Sequence, residues 1–269
     1  MTKSNARPAA ARATLVMAIA VGAALTAGER AFGAASVMIW PINPVIASDA
    51  RATALWLENR GAAAVTLQIR VLGWTQHDYG DRFEDAPQEL VTSPPLATIA
   101  PGRRQLVRLM RTRDVPANSE ISYRVLIDEV PGPESLDATR PGDQAAMGVT
   151  FRMRYSVPLF VYGRGMQPPE TAASRREAAS AGQPALSWRL INDERGRFLQ
   201  LRNAGSTHAR LSNVQLVTPA TGFDVATGLL GYVLPGADMR WPLPDGAPDG
   251  DGVALRMAVN GTVTTVRPY

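Results

Sequence analysis

Between Gly148 and Tyr162 the chain reads GVTFRMRYSVPLFVY, with Val149, Phe151, Met153, Tyr155, Val157 and Leu159 at every second position and Thr150, Arg152, Arg154 and Ser156 between them. Alternation with period two belongs to a β-strand, so one face of this segment is apolar and the other carries two guanidinium groups. The chemistry such a strand offers is association. Its apolar row needs an apolar partner, which is either the core of its own sandwich or the incomplete core of another protein to which the strand is lent. Other reactive residue types are sparse. Cysteine is absent, which excludes thiol chemistry and leaves the fold to stand without disulfides. The only histidines, His77 and His208, are expected at surface or loop positions in different domains. No Ser/His/Asp spacing, His-x-x-His pair or phosphate-cradling glycine loop is present, so an enzyme is not expected and no cofactor or metal is implied. Arg103, Arg104, Arg108, Arg111 and Arg113 form the densest basic run. It reads as a solvated face or strand end, because Arg108 alternates with Val107 and Leu109. Trp40, Trp56, Trp74, Trp188 and Trp241 read as core or interface fillers rather than a sugar-stacking platform.

The elements that must carry these residues are all β. From Ser36 the chain breaks into short runs rich in Val, Ile, Leu and Thr, punctuated by Pro, Gly and Asn. Strands are predicted over Val37 to Ile39, Ala52 to Asn59, Val65 to Thr75, Leu96 to Ile99, Arg104 to Arg111, Ser122 to Glu129 and Gly148 to Tyr162. That number suits one immunoglobulin-like sandwich of roughly 100 residues. Turn signals separate them at Asn59-Arg60-Gly61, Tyr79-Gly80-Asp81, Pro101-Gly102 and Pro116-Ala117-Asn118. Residues 164–184 change character, with Pro168-Pro169 and Arg175-Arg176-Glu177, and read as a linker between a first domain over 36–163 and a second over 185–269. In the second, strands are predicted over Ala185 to Ile191, Phe198 to Arg202, Ala209 to Val217, Leu229 to Leu234, Met239 to Pro242, Val253 to Val259 and Thr262 to Val266. Asn192 to Gly196, Asn203-Ala204-Gly205, Pro235-Gly236 and Asn260-Gly261 supply the turns, the last being a strong two-residue hairpin signal. The expected architecture is therefore two immunoglobulin-like β-sandwich domains.

The first residues differ from all of this. Lys3, Arg7 and Arg12 precede an apolar run from Ala13 to Ala27 and then small residues, the layout of a secretory signal peptide over 1–33, with cleavage after Gly33 or Ala35. The apolar run is shorter than the roughly 20 residues a bilayer requires, so export and removal are expected rather than stable membrane insertion. Lys3, Arg7, Arg12 and Arg30 against Glu29 account for +3 of the formal charge of +4. Without the leader the chain is close to neutral, which argues against a nucleic-acid role.

Three segments in order carry a resemblance. They are Ser93-Pro94-Pro95 followed by Ile99-Ala100-Pro101-Gly102 and Gln105-Leu106-Val107-Arg108-Leu109; then Tyr123 to Pro131, YRVLIDEVP; then the alternating strand. Together they resemble the periplasmic chaperones of the chaperone–usher pilus pathway, and within that family the archaic branch associated with spore-coat-U-like subunits. The likeness covers Val37 to about Tyr162 in its motifs and the remainder in architecture. It implies two sandwich domains set as an L, with a pilin subunit held in the cleft. Donor-strand complementation by pilus chaperones is an established instance of strand addition to a sheet edge. It enters here through the resemblance, with Val149, Phe151, Met153, Tyr155 and Val157 as the implied donors. The family also anchors the subunit's C-terminal carboxylate with basic residues in the cleft, but the matching positions here are Asn43 and Pro158, neither of them basic. Arg124 and Arg154 are the nearest substitutes. Glu129 matches a family position used in an internal salt bridge whose arginine is replaced here by Tyr162. The resemblance further implies periplasmic localisation, an outer-membrane usher as a second partner, and an edge able to self-associate when no subunit covers it. The competing reading is a secreted immunoglobulin-like adhesion or carbohydrate-binding module.

Overall fold

The computed structural model describes residues 36–86, 88–131, 152–166, 168, 182–250 and 252–269, and among these every regular element is a strand. The expected leader, most of the expected linker, and Val149 and Phe151 lie outside the described residues. In the first domain the strands are β1 (Val37–Trp40), β2 (Val45–Ile46), β3 (Ala52–Asn59), β4 (Val65–His77), β5 (Gly80–Asp85), β6 (Leu90–Ser93), β7 (Leu96–Ile99), β8 (Arg104–Arg111), β9 (Glu120–Val130) and β10 (Arg154–Tyr162). They form two sheets, one in the order β1-β3-β8-β6 and the other β2-β10-β9-β4-β5 with β7 also on β4. The alternation read from the sequence now has a physical address. Leu55, Leu57, Val107 and Leu109 from one sheet meet Leu67, Ile69, Val125, Ile127, Leu159 and Val161 from the other in a single buried cluster. The β4–β5 hairpin turns on Asp78 and Tyr79, both at positive φ, one residue earlier than the Tyr79-Gly80-Asp81 signal suggests. Strands β5 and β6 were not expected: GDRFED and LVTS carry too little apolar alternation to announce themselves.

The second set comprises β11 (Leu186–Asp193), β12 (Gly196–Asn203), β13 (Ala209–Val217), β14 (Gly222–Val233), β15 (Asp238–Pro242), β16 (Ala254–Val259) and β17 (Thr262–Pro268). These are hydrogen-bonded in one path, β14-β13-β16-β17-β11-β12-β15, and enclose a core of Leu199, Leu201, Leu211, Val214, Leu216, Leu255 and Met257. The Asn-x-Gly turns use one device in both domains. Asn59 is fully buried, donating Nδ2 to the carbonyls of Ala63 and Ile99 at 2.7 and 2.8 Å while its Oδ1 accepts from the Gly61 N–H. Asn203 repeats this with Thr207, Val233 and Gly205. A buried amide with its donors and acceptor satisfied closes the turn without a stranded polar group.

The outer face of the β10-β9-β4 sheet is covered by the second domain. Trp74, Phe160 and Tyr162 are buried in the second domain's core cluster rather than their own. Gln76 imitates a strand residue, donating Nε2 to the Tyr232 carbonyl at 3.0 Å and accepting the Leu234 N–H at 2.8 Å. Glu120, at the start of β9, is fully enclosed and accepts from the His208 backbone N–H at 3.1 Å, with His208 Nδ1 at 2.9 Å from its other oxygen. The His208 ring lies flat on Phe160, centroids 3.4 Å apart. His208 does lie in a loop, just before β13, but it is buried rather than at the surface, because the burial comes from a partner 88 residues away in sequence and leaves no local trace. Glu129 is not across from Tyr162: the residue in register with Tyr162 is Glu120. Removing one partner of a buried polar pair strands the other, so His208→Ala is expected to cost on the order of 3 kcal/mol. Urea unfolding monitored by tryptophan fluorescence measures it; a loss under about 0.5 kcal/mol, the range of an ordinary surface substitution, would contradict a clamping role.

Candidate functional site

Strand β10 pairs antiparallel with β9 along its whole length, but on its other side β2 reaches only Phe160 and Val161. From Arg152 to Val157 that second edge has no strand partner among the described residues. Parity along the edge follows from two hydrogen bonds. The Glu129 N–H donates to the Met153 carbonyl at 3.0 Å, so odd-numbered residues aim their backbone groups at β9. The Phe160 N–H donates to the Pro44 carbonyl at 3.4 Å, so even-numbered residues aim theirs at the outer edge. Arg154 and Ser156 therefore present N–H and C=O groups to the open side. Pro158 follows them with no N–H to present.

Side chains divide the same strand by face. Leu159 and Val161 enter the core of their own sandwich, and Val157 joins them at 7% exposure. Val157 is thus already spent on its own domain, which corrects its inclusion among the donors. Tyr155 packs half-buried against the same core, and Met153 stands 43% exposed on the same face. The apolar stripe emerges from the core into the open at Met153.

The two candidate arginines part company. Arg154 places Nε against Asp128 Oδ1, and Arg70 reaches the other carboxylate oxygen at 2.8 Å. Burial alone would raise the Asp128 carboxyl, but the hydrogen bonds and charges of Arg154 and Arg70 hold it below the usual carboxylate range. Arg154 is occupied in that cluster. Arg124, by contrast, lies directly across from Pro158 in the ladder and stacks its guanidinium on Trp74 at 3.8 Å, with Tyr232 at 5.4 Å. Its buried Nε has no hydrogen-bond partner among the described residues, and burial lowers its pKa, offset in part by Tyr232 and Asp81. A guanidinium held this way is desolvated and short of an acceptor.

Arg124 opens onto a pocket of about 380 Å³ bounded by Asn43, Ser156 and Pro158 of the first domain and by Arg210 and Tyr232 of the second. The structure thus gathers at one place Asn43 and Pro158, the two non-basic positions that the resemblance matches to the family's anchor residues, and Arg124. Asp81 also borders the pocket, but its Oδ1 accepts from Trp74 Nε1 at 2.8 Å and Gln76 Nε2 at 2.9 Å. Arg210 escaped the sequence reading. It sits at an ordinary position of β13, and only domain packing brings it to Arg124. The basic run behaves as expected of strand ends: Arg104 pairs with Glu58 at 2.9 Å, and Arg111 caps the carbonyls of Ser48 and Ala50. Trp74 and Trp188 are buried, and Trp40 stacks on Trp56 at 6.1 Å.

Residues 37–167 match the family model for pili and flagellar-assembly chaperones, PapD N-terminal domain. The fold is similar to the CsuC–CsuE chaperone–tip adhesion subunit pre-assembly complex of the archaic chaperone-usher Csu pili of Acinetobacter baumannii, with TM-score 0.68 and 29% identity over 87% of this chain and 99% of that one. The YadV chaperone shares the fold at TM-score 0.59 and 16% identity, covering 86% and 98% of the two chains. The CupB2 chaperone of Pseudomonas aeruginosa does so at TM-score 0.55 and 16% identity, covering 85% and 97%. No curated protein sequence matches the chain.

Proposed function

We propose that the chain is a pilus chaperone of the kind whose N-terminal-domain model matches its residues 37–167, and that it is exported to the periplasm, binds pilin subunits by lending them the N-terminal part of β10, and delivers them to an outer-membrane usher. The observation that carries this reading is the edge of β10. Among the described residues it is open from Arg152 to Val157, its apolar stripe surfaces at Met153, and it ends at a pocket lined by Arg124. An open edge supplies main-chain hydrogen bonds to an added strand, and the alternating side chains supply the apolar fill. The proposed donors are Val149, Phe151, Met153 and Tyr155. Each side chain so buried contributes roughly 1.5–3 kcal/mol. Arg124, with Arg210 nearby, receives the subunit's terminal carboxylate, while Arg154 serves Asp128 and fixes the edge strand to β9.

The test is to co-express the tagged, exported protein with pilin-like subunits from the same genome, purify it from the periplasm and determine partner masses. A stoichiometric partner of subunit size is the expected result. A protein that comes away alone with every candidate subunit would turn the reading toward a secreted adhesion or carbohydrate-binding module.

A further inference from the structure

We propose that Pro158 is the register stop of the donor edge: an added strand pairs through Ser156 and ends where Pro158 has no N–H to offer, which delivers its terminal carboxylate to the Arg124 pocket. The inference rests on the strand-donation reading above.

Backbone parity sets the stop. β10 runs from Arg154 toward Tyr162, so a strand whose C-terminus lies at the Pro158 end runs parallel to it. In a parallel ladder, each outward-facing residue donates its N–H to the residue before its opposite number and accepts from the residue after it. Ser156 can do both. The next outward N–H would come from position 158 and is missing. A chain continuing past this point carries a carbonyl with no donor, which is unfavourable in a partly buried site. A chain ending there has a carboxylate in that place instead. Arg124 is the direct cross-strand neighbour of Pro158, and both border the same pocket. Two residues further on the edge is closed, because the Phe160 N–H is taken by the Pro44 carbonyl and Phe160 and Val161 are in register with Val45 and Ile46. A one-residue slip would turn every apolar side chain of the added strand to the wrong face, so only shifts of two compete. Pro158 removes the nearest of these.

Ser156 is exposed and the chain has no cysteine, so Ser156→Cys introduces a single thiol on the edge. The probe is the pilin subunit recovered by co-purification, carrying one cysteine at each of its last four positions in turn. With Pro158 present, disulfide formation is expected chiefly at the penultimate residue, at least tenfold above the other three positions. With Pro158→Ala or Pro158→Val, either of which restores the N–H, the signal is expected to spread to the residue two earlier as the strand slips forward. An unchanged pattern in both variants, or no preferred position with Pro158 intact, overturns the register stop while leaving strand donation standing. Failure of any subunit to co-purify overturns strand donation itself, and the stop with it.

Discussion

Met153→Asp is expected to leave the free protein as stable as before and to abolish recovery of its subunit. Met153 is 43% exposed and its side chain lies beyond the last core residue of its own domain, so a charge there changes folding stability by no more than about 0.5 kcal/mol. Under the proposed strand donation the same position faces the subunit's open core. An aspartate loses the apolar contribution and must desolvate a carboxylate, together on the order of 4 kcal/mol, or roughly three decades in affinity. Val157→Asp separates the two faces of the argument. Four residues further along the same stripe, it puts a charge into the domain's own core and is expected to cost more than about 3 kcal/mol of folding stability, removing soluble protein altogether. Thermal melts of the purified variants and mass analysis of co-purified partner decide the matter. A folded Met153→Asp protein that still holds its subunit stoichiometrically would sink the donor assignment.

Arg124→Ala should weaken subunit capture by two to three orders of magnitude, since truncating one member of a desolvated, hydrogen-bonded charge pair costs about 2–5 kcal/mol. Arg124→Lys should recover only part of this, because an ammonium can neither stack on Trp74 as a planar group nor present a fork to a carboxylate. Arg154→Ala is the contrasting variant. It removes an exposed member of the Asp128 cluster, Arg70 keeps its 2.8 Å contact with that carboxylate, and capture should change less than threefold. Affinities from titration of the refolded subunit, set beside the melting temperature of each free variant, give the comparison. Equal losses for Arg124→Ala and Arg154→Ala would remove the pocket from the account and leave general positive charge in its place.

An unpaired apolar edge is a hazard as well as a tool, since it templates pairing with any strand that meets it. Two features confine it here. The β2 strand and the Pro44 carbonyl close the edge at Phe160, and Pro158 denies a ladder position immediately before it. Across the strand, the Arg70–Asp128–Arg154 cluster puts charge on the face opposite the donors. What stays open is the short stretch between Arg152 and Val157, with an apolar and a charged side.

Much of the fold was legible because strand formation is written in local period. The runs Ala52–Asn59, Leu96–Ile99, Arg104–Arg111 and Ala209–Val217 are strands with the boundaries their alternation and turn residues indicate. The alternation likewise announced an amphipathic strand, found over Arg154–Tyr162 rather than from Gly148, with residues 148–151 outside the described residues. What the period could not say was which of its apolar residues are spent at home. Val157 and Met153 are identical in pattern; they differ because Val157 packs into the core of its own domain while Met153 stands 43% exposed. Arg124 and Arg154 are equally plausible cations on paper, and only the neighbouring strands show that Arg154 meets Asp128 while Arg124 meets a cleft. His208, Glu120 and Arg210 carry no local signal at all, because their surroundings are built from the other domain. Pro158 is visible to any reader of the chain, yet its meaning depends on which edge its missing N–H faces, and that is set by pairing with a strand more than thirty residues earlier. Period and turn chemistry are properties of a few consecutive residues and survive in the sequence alone; burial, register and the company a charge keeps are relations between distant segments, and only the tertiary structure decides them.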